Sequence, residues 1–487
     1  MENTNASEAI SKDRELLPST FRERTVGAGG YFAMWCAMAV IIATYSLGGI
    51  GVELITLWYV VLACVIANWI TGFFITLSGD IGLEHGIPFP MYLRVTFGPV
   101  GSKIPSLIRG LLACVWTGIQ TYFGAIAITF IVAYLTGFNN FWISFLIFMA
   151  MQIVNAALGI DAIDKFAWIA APCIVIISLI ILQRTMVGAV VDNIDLFNTI
   201  VLPGGDLMFS PGGAGFTAFF FVMFTNMSYW STNSADTQSL TKYVKAPVGE
   251  RNWFKRNKNT LFAHMVALPM TQTFCVLIGA MAMIAFGDWN PVNAMQEIAT
   301  GIFLVVLLFL VVFAQWSTNT AASILPGAMV FMNVSGGRLK YIPAVILVGV
   351  IATVAQPWLI MEHFGGFLGY MGSVYGPICG VFLADYYAVR KRRLYVPDIY
   401  NVEGGQFYGA NGWNLAGVIA LIVGVIVGNF FGAAAYPVGI ATGFIVYYVL
   451  AKNWWFKKYK QIEIEENFDE KYLGLSGNHE WDVESIA

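Results

Sequence analysis

Apolar stretches of about 20 residues, the length a helix needs to cross ~30 Å of hydrocarbon, follow one another from Tyr31 to Leu450, with Gly, Pro and clusters of charge between them. The pattern predicts twelve membrane-spanning helices, at about 30–52, 55–77, 106–136, 140–159, 166–183, 214–236, 261–286, 302–331, 341–359, 367–388, 412–431 and 434–451. Residues 1–24 are polar and lack the short apolar core and small-residue cleavage site of a signal peptide, so the first span is expected to act as an uncleaved signal. Residues 459–487 are acidic and are expected to be weakly ordered or docked on the inner face.

Composition agrees with the pattern. The chain is 58% hydrophobic and 11% charged, with a mean hydropathy of +0.69, where soluble proteins carry about 25% charged residues. Charge then orients it, because Lys and Arg are retained in cytoplasmic loops. With both termini in the cytoplasm, the loops after even-numbered spans should be basic, and they hold Arg94, Lys103, Lys165, Lys242, Lys245, Arg251, Lys255, Arg256, Lys258, Arg338, Lys340 and the run Arg390 to Arg393. Of the 26 basic residues only Arg184 falls on the outer side. One missed or extra span would reverse every later loop, so this bias supports the count of twelve as well as the orientation. The setting implied is a cell (inner) membrane.

Several function classes are excluded or weakened. A membrane oxidoreductase needs histidines on facing helices; here His85, His363 and His479 fall in predicted loops or the tail, leaving His264 near a helix end. An ATP-driven pump would carry a GxxxxGK[ST] loop and a large soluble domain, and neither is present. Cys36, Cys64, Cys114, Cys173, Cys275 and Cys379 all lie in predicted spans without a CxxC pair, which favours packing over disulfides or metal. No cofactor and no nucleic-acid partner is expected. A channel stays open as an alternative to a secondary transporter. The transporter makes the sharper prediction of interrupted helices with polar and small residues near the membrane midplane.

Four segments answer that prediction. In the first span, Thr44, Tyr45, Ser46, Gly48 and Gly49 interrupt an apolar run, and an unwound turn there would expose carbonyls to a cation; a helix merely ending in glycines is the alternative. In the sixth, Asn226, Asn233 and Asp236 accompany Trp230 and are too polar for lipid, although Asp236 is also compatible with a solvated position at the inner interface. In the third, Trp116 and Gln120 lie one turn apart. An indole face stacks on a planar ring and an amide pairs with a ring C=O and N–H, while an interfacial tryptophan and an interhelical hydrogen bond remain the alternative. In the eighth, Ala314, Ser317 and Thr318 form one face at i, i+3 and i+4, suited to close helix packing or to sodium, a hard cation seeking oxygen ligands; Asn319 and Ser323 add polarity one turn apart.

With these residues assembled, the chain resembles the nucleobase:cation symporter (NCS1) family, the permeases for cytosine, purines, uracil, allantoin and hydantoins. The matching segments, in order, are "GIPFPMYLRVTFGPVGSKIPSLIRG", "VWTGIQ", "YW" followed by "LTKYVK", "AQWSTNTAAS" and "YGPICGVFLADYYAVRKRRLYVPDIY" with "GANGWN". The resemblance implies an all-α, LeuT-like integral membrane fold. A tail over 1–29 precedes a first inverted repeat of helices 1–5 over 30–186 and a second of helices 6–10 over 187–388; the loop and helices 11–12 follow over 389–452, and a cytoplasmic tail over 453–487. The first and sixth helices would be broken around a central site. It also implies that Trp116 and Trp230 sandwich the ring and that Gln120 bonds its edge. Sodium would be held by Ala314, Ser317 and Thr318 together with the carbonyls of Met38 and Ile41.

There are departures. Ser323 stands where the family commonly has a substrate-binding asparagine, and Asp236-Thr237-Gln238-Ser239 stands where it has Asn-x-Pro-Asp. Which heterocycle is carried therefore does not transfer from a relative. The expected function is import of such a ring by symport with sodium, the alternative being a proton-coupled permease for a thiamine- or pyridoxine-like ring, for which Asp236 and Glu53 are the carboxylates to examine. The oligomeric state is left open.

Overall fold

The computed structural model describes residues 14–201, 214–465 and 469–486; of residue 314 and most of 160–177 it describes the backbone alone. The described residues build a helical bundle. In chain order its main helices are α1 (Ala28–Ala39), α2 (Ile42–Leu54), α3 (Leu57–His85), α4 (Phe89–Phe97), α5 (Lys103–Thr136), α6 (Phe141–Ala157), α7 (Ile160–Val191), α8 (Ala214–Tyr229), α9 (Ser231–Asp236), α10 (Lys258–Phe286), α11 (Pro291–Ile298), α12 (Gly301–Val334), α13 (Tyr341–Val354), α14 (Phe364–Val389), α15 (Leu415–Asn429) and α16 (Gly432–Lys458). Among the described residues, six of these helices are long and apolar enough to cross a membrane, or seven when α1 and α2 count as one bent span. Helix ends follow local chemistry: α3 and α5 stop where Gly86 and Gly137 turn left-handed, and Asn140 and Asn414 cap the N-termini of α6 and α15 with their side-chain oxygens.

The first span is broken, but upstream of the expected place. α1 and α2 meet at 54° across Val40 and Ile41, and Ile41 is fully extended. Val40, Ile41 and Ile42 are three successive β-branched residues, which favour extended backbone over helix. Thr44, Tyr45, Ser46, Gly48 and Gly49, expected to unwind, are helical instead. The threonine still serves the break: its hydroxyl donates back to the Ala39 carbonyl at 2.9 Å, an acceptor that the interruption strips of its helical partner. The glycines serve packing. A Cβ at Gly48 would overlap the Val276 carbonyl oxygen on α10, and one at Gly279 the Tyr45 carbonyl oxygen, so α2 and α10 touch backbone to backbone.

The end of the bundle bearing the basic loops is closed by buried ion pairs rather than by solvated charge. Arg256 pairs with Asp80 at 2.6 Å and with Glu84 at 2.7 Å, and Arg390 with Asp385 at 2.7 Å and Glu463 at 2.5 Å. Arg94 donates to Asn333 at 3.0 Å. His85, expected in a loop, is the buried last residue of α3. The C-terminal tail docks here. Leu475 N–H donates to the Glu84 carbonyl at 2.9 Å, Leu394 N–H to that of Tyr472 at 2.9 Å, and burial pushes the Glu463 carboxyl up against the pull of Arg390. Five of the cysteines are free thiols buried in the bundle, and the side chain of Cys173 lies outside the described residues.

Backbone contact between α2 and α10 leaves no room for a methyl group. Gly48→Ala and Gly279→Ala are each expected to lower stability by about 1–3 kcal/mol in thermal unfolding of the purified protein. Gly366→Ala, where an added Cβ meets nothing, should leave the transition in place.

Candidate functional site: a cavity between two helix breaks

The sixth span is interrupted at Trp230, whose backbone (φ −97°, ψ 9°) separates α8 from α9. This break and the one at Val40–Ile41 face each other. Trp35 of α1 packs on Trp230 with ring centroids 5.5 Å apart, and the Thr44 hydroxyl of α2 meets the Tyr229 hydroxyl of α8 at 3.0 Å. Between them lies a cavity with an empty volume of about 330 Å³.

Four elements wall it. Met38 and Ile41 come from the first break, Tyr229, Trp230, Thr232 and Asn233 from the second, Trp116 and Gln120 from α5, and Thr318, Ala322 and Ser323 from α12. The cavity thus gathers seven of the sequence-derived candidates: Met38, Ile41, Trp116, Gln120, Trp230, Thr318 and Ser323. Asn233 had been singled out only for its polarity, and Tyr229, Thr232 and Ala322 carried no signal beyond adjacency. Every lining side chain is uncharged, which suits a neutral organic ligand.

Three candidates do not line the cavity. Ser317 is buried beside Thr318, and of Ala314 only the backbone is described. Asn319 is turned into a separate network, its Nδ2 donating to the Thr117 carbonyl at 3.0 Å and to Gln152 Oε1 at 2.6 Å. The chain is π-helical from Thr320 to Ile324, and a turn closed by i→i+5 bonding no longer stacks residues four apart. Asn319 and Ser323, expected on one face, therefore part: Ser323 reaches the cavity and Asn319 ties α12 to α5 and α6.

The polar groups in the wall are unevenly satisfied. Gln120 Nε2 donates to Ser323 Oγ at 3.4 Å, while Gln120 Oε1 is buried with no partner. Thr318 Oγ1 donates to the Ala37 carbonyl, linking α12 to the first span one residue before Met38. The Trp230 indole N–H donates to Gln272 Oε1, and Gln272 Nε2 to Asn226 Oδ1 at 3.0 Å. Gln272 escaped notice in the sequence; its signal is a lone amide in the apolar run "LPMTQTFCV". Aromatic rings cover one end, with Trp116 edge-on to Tyr229 at 5.4 Å and Phe364 at 5.9 Å.

A buried ion pair lies beside the cavity wall, next to Ala322. Arg109 and Asp236 bind each other with side chains 1% and 2% exposed, and Arg109 Nη2 also donates to the carbonyl of Ala322 at 3.0 Å. Arg109 stands two turns before Trp116, and Asp236 three residues after Asn233, so each lies on the cavity-facing side of its own helix. Asp236 is therefore not solvated, and its charge is committed to Arg109. Glu53, the other candidate proton-carrying carboxylate, is partly buried at the end of α2.

Residues 18–455 match a family described as permease for cytosine/purines, uracil, thiamine, allantoin. The hydantoin permease of Microbacterium maritypicum is 27% identical over 477 residues, covering 96% of this chain and 95% of its own. The purine-uracil permease of Arabidopsis thaliana is 27% identical, over 89% of this chain and 74% of its own. A nucleobase–cation-symport-1 family transporter, solved in a closed conformation with bromovinylhydantoin bound, superposes with a TM-score of 0.84 at 25% identity, covering 94% of this chain and 98% of that one.

Replacing Asp236 by Asn strands the buried Arg109 guanidinium without its countercharge. The expected cost is about 3–5 kcal/mol, read as a drop in melting temperature and in the yield of monodisperse protein.

Proposed function

Because the chain belongs to the family of permeases for cytosine/purines, uracil, thiamine and allantoin, and so is a cation-coupled, multi-pass membrane transporter and not an enzyme, we propose that it imports a planar nitrogen heterocycle together with sodium. The observation that carries this reading is one cavity lined by two tryptophans and by a glutamine whose buried carbonyl oxygen has no partner. In this reading Trp116 and Trp230 present their faces to the ring and Gln120 accepts from a ring N–H, supported by Ser323. Asn319 acts behind the wall, holding α12 against α5.

Sodium is proposed to bind where α12 meets the first break. Ser317 and Thr318 would supply hydroxyl oxygens and Met38 and Ile41 backbone carbonyls, with Ala314 in the same stretch of α12. The bond from Thr318 to the Ala37 carbonyl supports the placement, because it sets this hydroxyl at the break. Sodium is favoured over a proton because the buried carboxylates described in the spans are already ion-paired: Asp80 and Glu84 with Arg256, Asp236 with Arg109, and Asp385 with Arg390. A carrier that must gain and lose a proton during transport is poorly served by a fixed countercharge.

The proposed topology has twelve spans: the six long helices, the bent pair α1–α2, the interrupted pair α8–α9, and the helices α6, α7, α13 and α15. The first ten would form the two inverted repeats, over 30–186 and 187–388, with the basic end and both termini in the cytoplasm. Coupling then needs each ligand to favour the same conformation, so each must tighten binding of the other.

Two sets of variants test this in proteoliposomes. Trp116→Ala and Gln120→Ala should abolish uptake of the transported ring while the protein stays folded; loss of one stack, at about 1–3 kcal/mol by analogy with base stacking, weakens affinity roughly ten- to hundredfold. Ser317→Ala and Thr318→Ala should raise the sodium concentration needed for uptake and weaken ring binding in parallel. Unchanged sodium dependence in both would remove the proposed ion site.

A further inference from the structure

Two carboxamides enter the cavity from different helices, and they present opposite halves of their hydrogen-bonding capacity. Gln120, on α5, spends its Nε2 on Ser323 Oγ at 3.4 Å and leaves Oε1 buried without a partner. Asn233, on α9, does the reverse. Its Oδ1 accepts from the Thr232 hydroxyl at 3.2 Å, and its Nδ2 meets no acceptor among the described residues, while the residue, 7% exposed, lines the cavity. An amide kept in an apolar setting with half its capacity unmet costs stability unless something else meets it. The two unmet halves are one acceptor and one donor, in a chamber walled by indole rings.

We propose that Asn233 is a specificity-determining residue, donating its Nδ2–H to a carbonyl of the ligand while Gln120 Oε1 accepts a ring N–H, so that the site selects lactam-bearing rings over rings of the same size without that carbonyl. The inference rests on the reading of this cavity as the substrate site. Thr232 is the positioning residue: by occupying Asn233 Oδ1 it fixes which half of the amide faces the ligand. A carbonyl-deleted analogue leaves the Asn233 donor without its ligand acceptor, and a site built to hydrogen-bond one group rejects the analogue lacking it far more strongly than a site read by shape alone.

The test uses matched pairs: hypoxanthine with purine, and guanine with 2-aminopurine, each partner keeping the ring and its imidazole N–H but lacking the C6 carbonyl. Affinities are measured by calorimetry in sodium on the full-length wild type and on Asn233→Leu, Asn233→Asp and Trp116→Ala. Asn233→Asp keeps the shape and turns the donor into an acceptor, so it serves if the leucine variant fails to fold. At least one lactam ring is expected to bind the wild type about tenfold or more tighter than its partner. In Asn233→Leu that ring should lose roughly ten- to hundredfold and the preference within the pair should fall to about threefold or less. Asn233→Asp should lose at least as much, and Trp116→Ala should bind neither member. An unchanged preference in both Asn233 variants, with binding abolished in Trp116→Ala, would overturn the role of Asn233 and leave the cavity as the site. Wild-type affinity in Trp116→Ala would overturn the cavity and this inference together, and absence of binding by every lactam ring would overturn the inference.

Discussion

Inside a membrane a helix can be interrupted only where the protein itself satisfies the freed backbone groups, and this requirement organises the molecule. Both interruptions lie at the same place, between α1 and α2 and between α8 and α9. The Thr44 hydroxyl bonds the Ala39 carbonyl at the first break and contacts Tyr229 at the second, and Trp35 packs on Trp230 across the gap. Each break is thus sheltered by the other. The space left between them, completed by α5 and α12, is the cavity. Its walls combine indole faces with amides and hydroxyls because non-helical backbone at that depth already demands polar company.

Charge is kept out of the chamber and used around it. The lining is uncharged, while arginines at the basic end are buried and paired, Arg256 to Asp80 and Glu84 and Arg390 to Asp385 and Glu463. Arg109 and Asp236 bring the same device to the edge of the cavity, tying α5, α9 and the Ala322 carbonyl of α12 together. Buried pairs of this kind contribute little net stability, but they are costly to break singly. The docked C-terminal tail, bonded to Glu84 and to the segment around Leu394, braces the same end.

Much of this was legible in the sequence, for reasons that can be named. Twenty-residue apolar stretches and the placement of Lys and Arg report the bilayer directly. Trp116 and Gln120 are four apart on an unbroken helix, so spacing alone puts them on one face, and the structure finds both on the cavity wall. Where the helix departs from 3.6 residues per turn the argument fails. The π-turn at Thr320–Ile324 separates Asn319 from Ser323. The first break was misplaced because polar residues and glycines drew attention downstream, while the signal, the run Val40-Ile41-Ile42, is apolar and passes for ordinary membrane sequence. Thr44 marks the break from a distance, since its side chain reaches back five residues. Asp236 and Gln272 needed partners from other spans, Arg109 and Trp230, which no local pattern supplies.

The cavity is proposed to bind a planar ring in a way that depends on sodium. The most direct measurement is a thermal-shift screen of the purified protein against cytosine, uracil, adenine, guanine, hypoxanthine, allantoin and benzyl-hydantoin, each in sodium and in choline, with Trp116→Ala beside the wild type. Stabilisation by a bound ligand grows as RT ln(1 + [L]/Kd), so the account predicts an upward shift with at least one ring, larger in sodium and lost in Trp116→Ala. An equal shift in sodium and choline would contradict the coupling, and a shift that survives in Trp116→Ala would contradict the site.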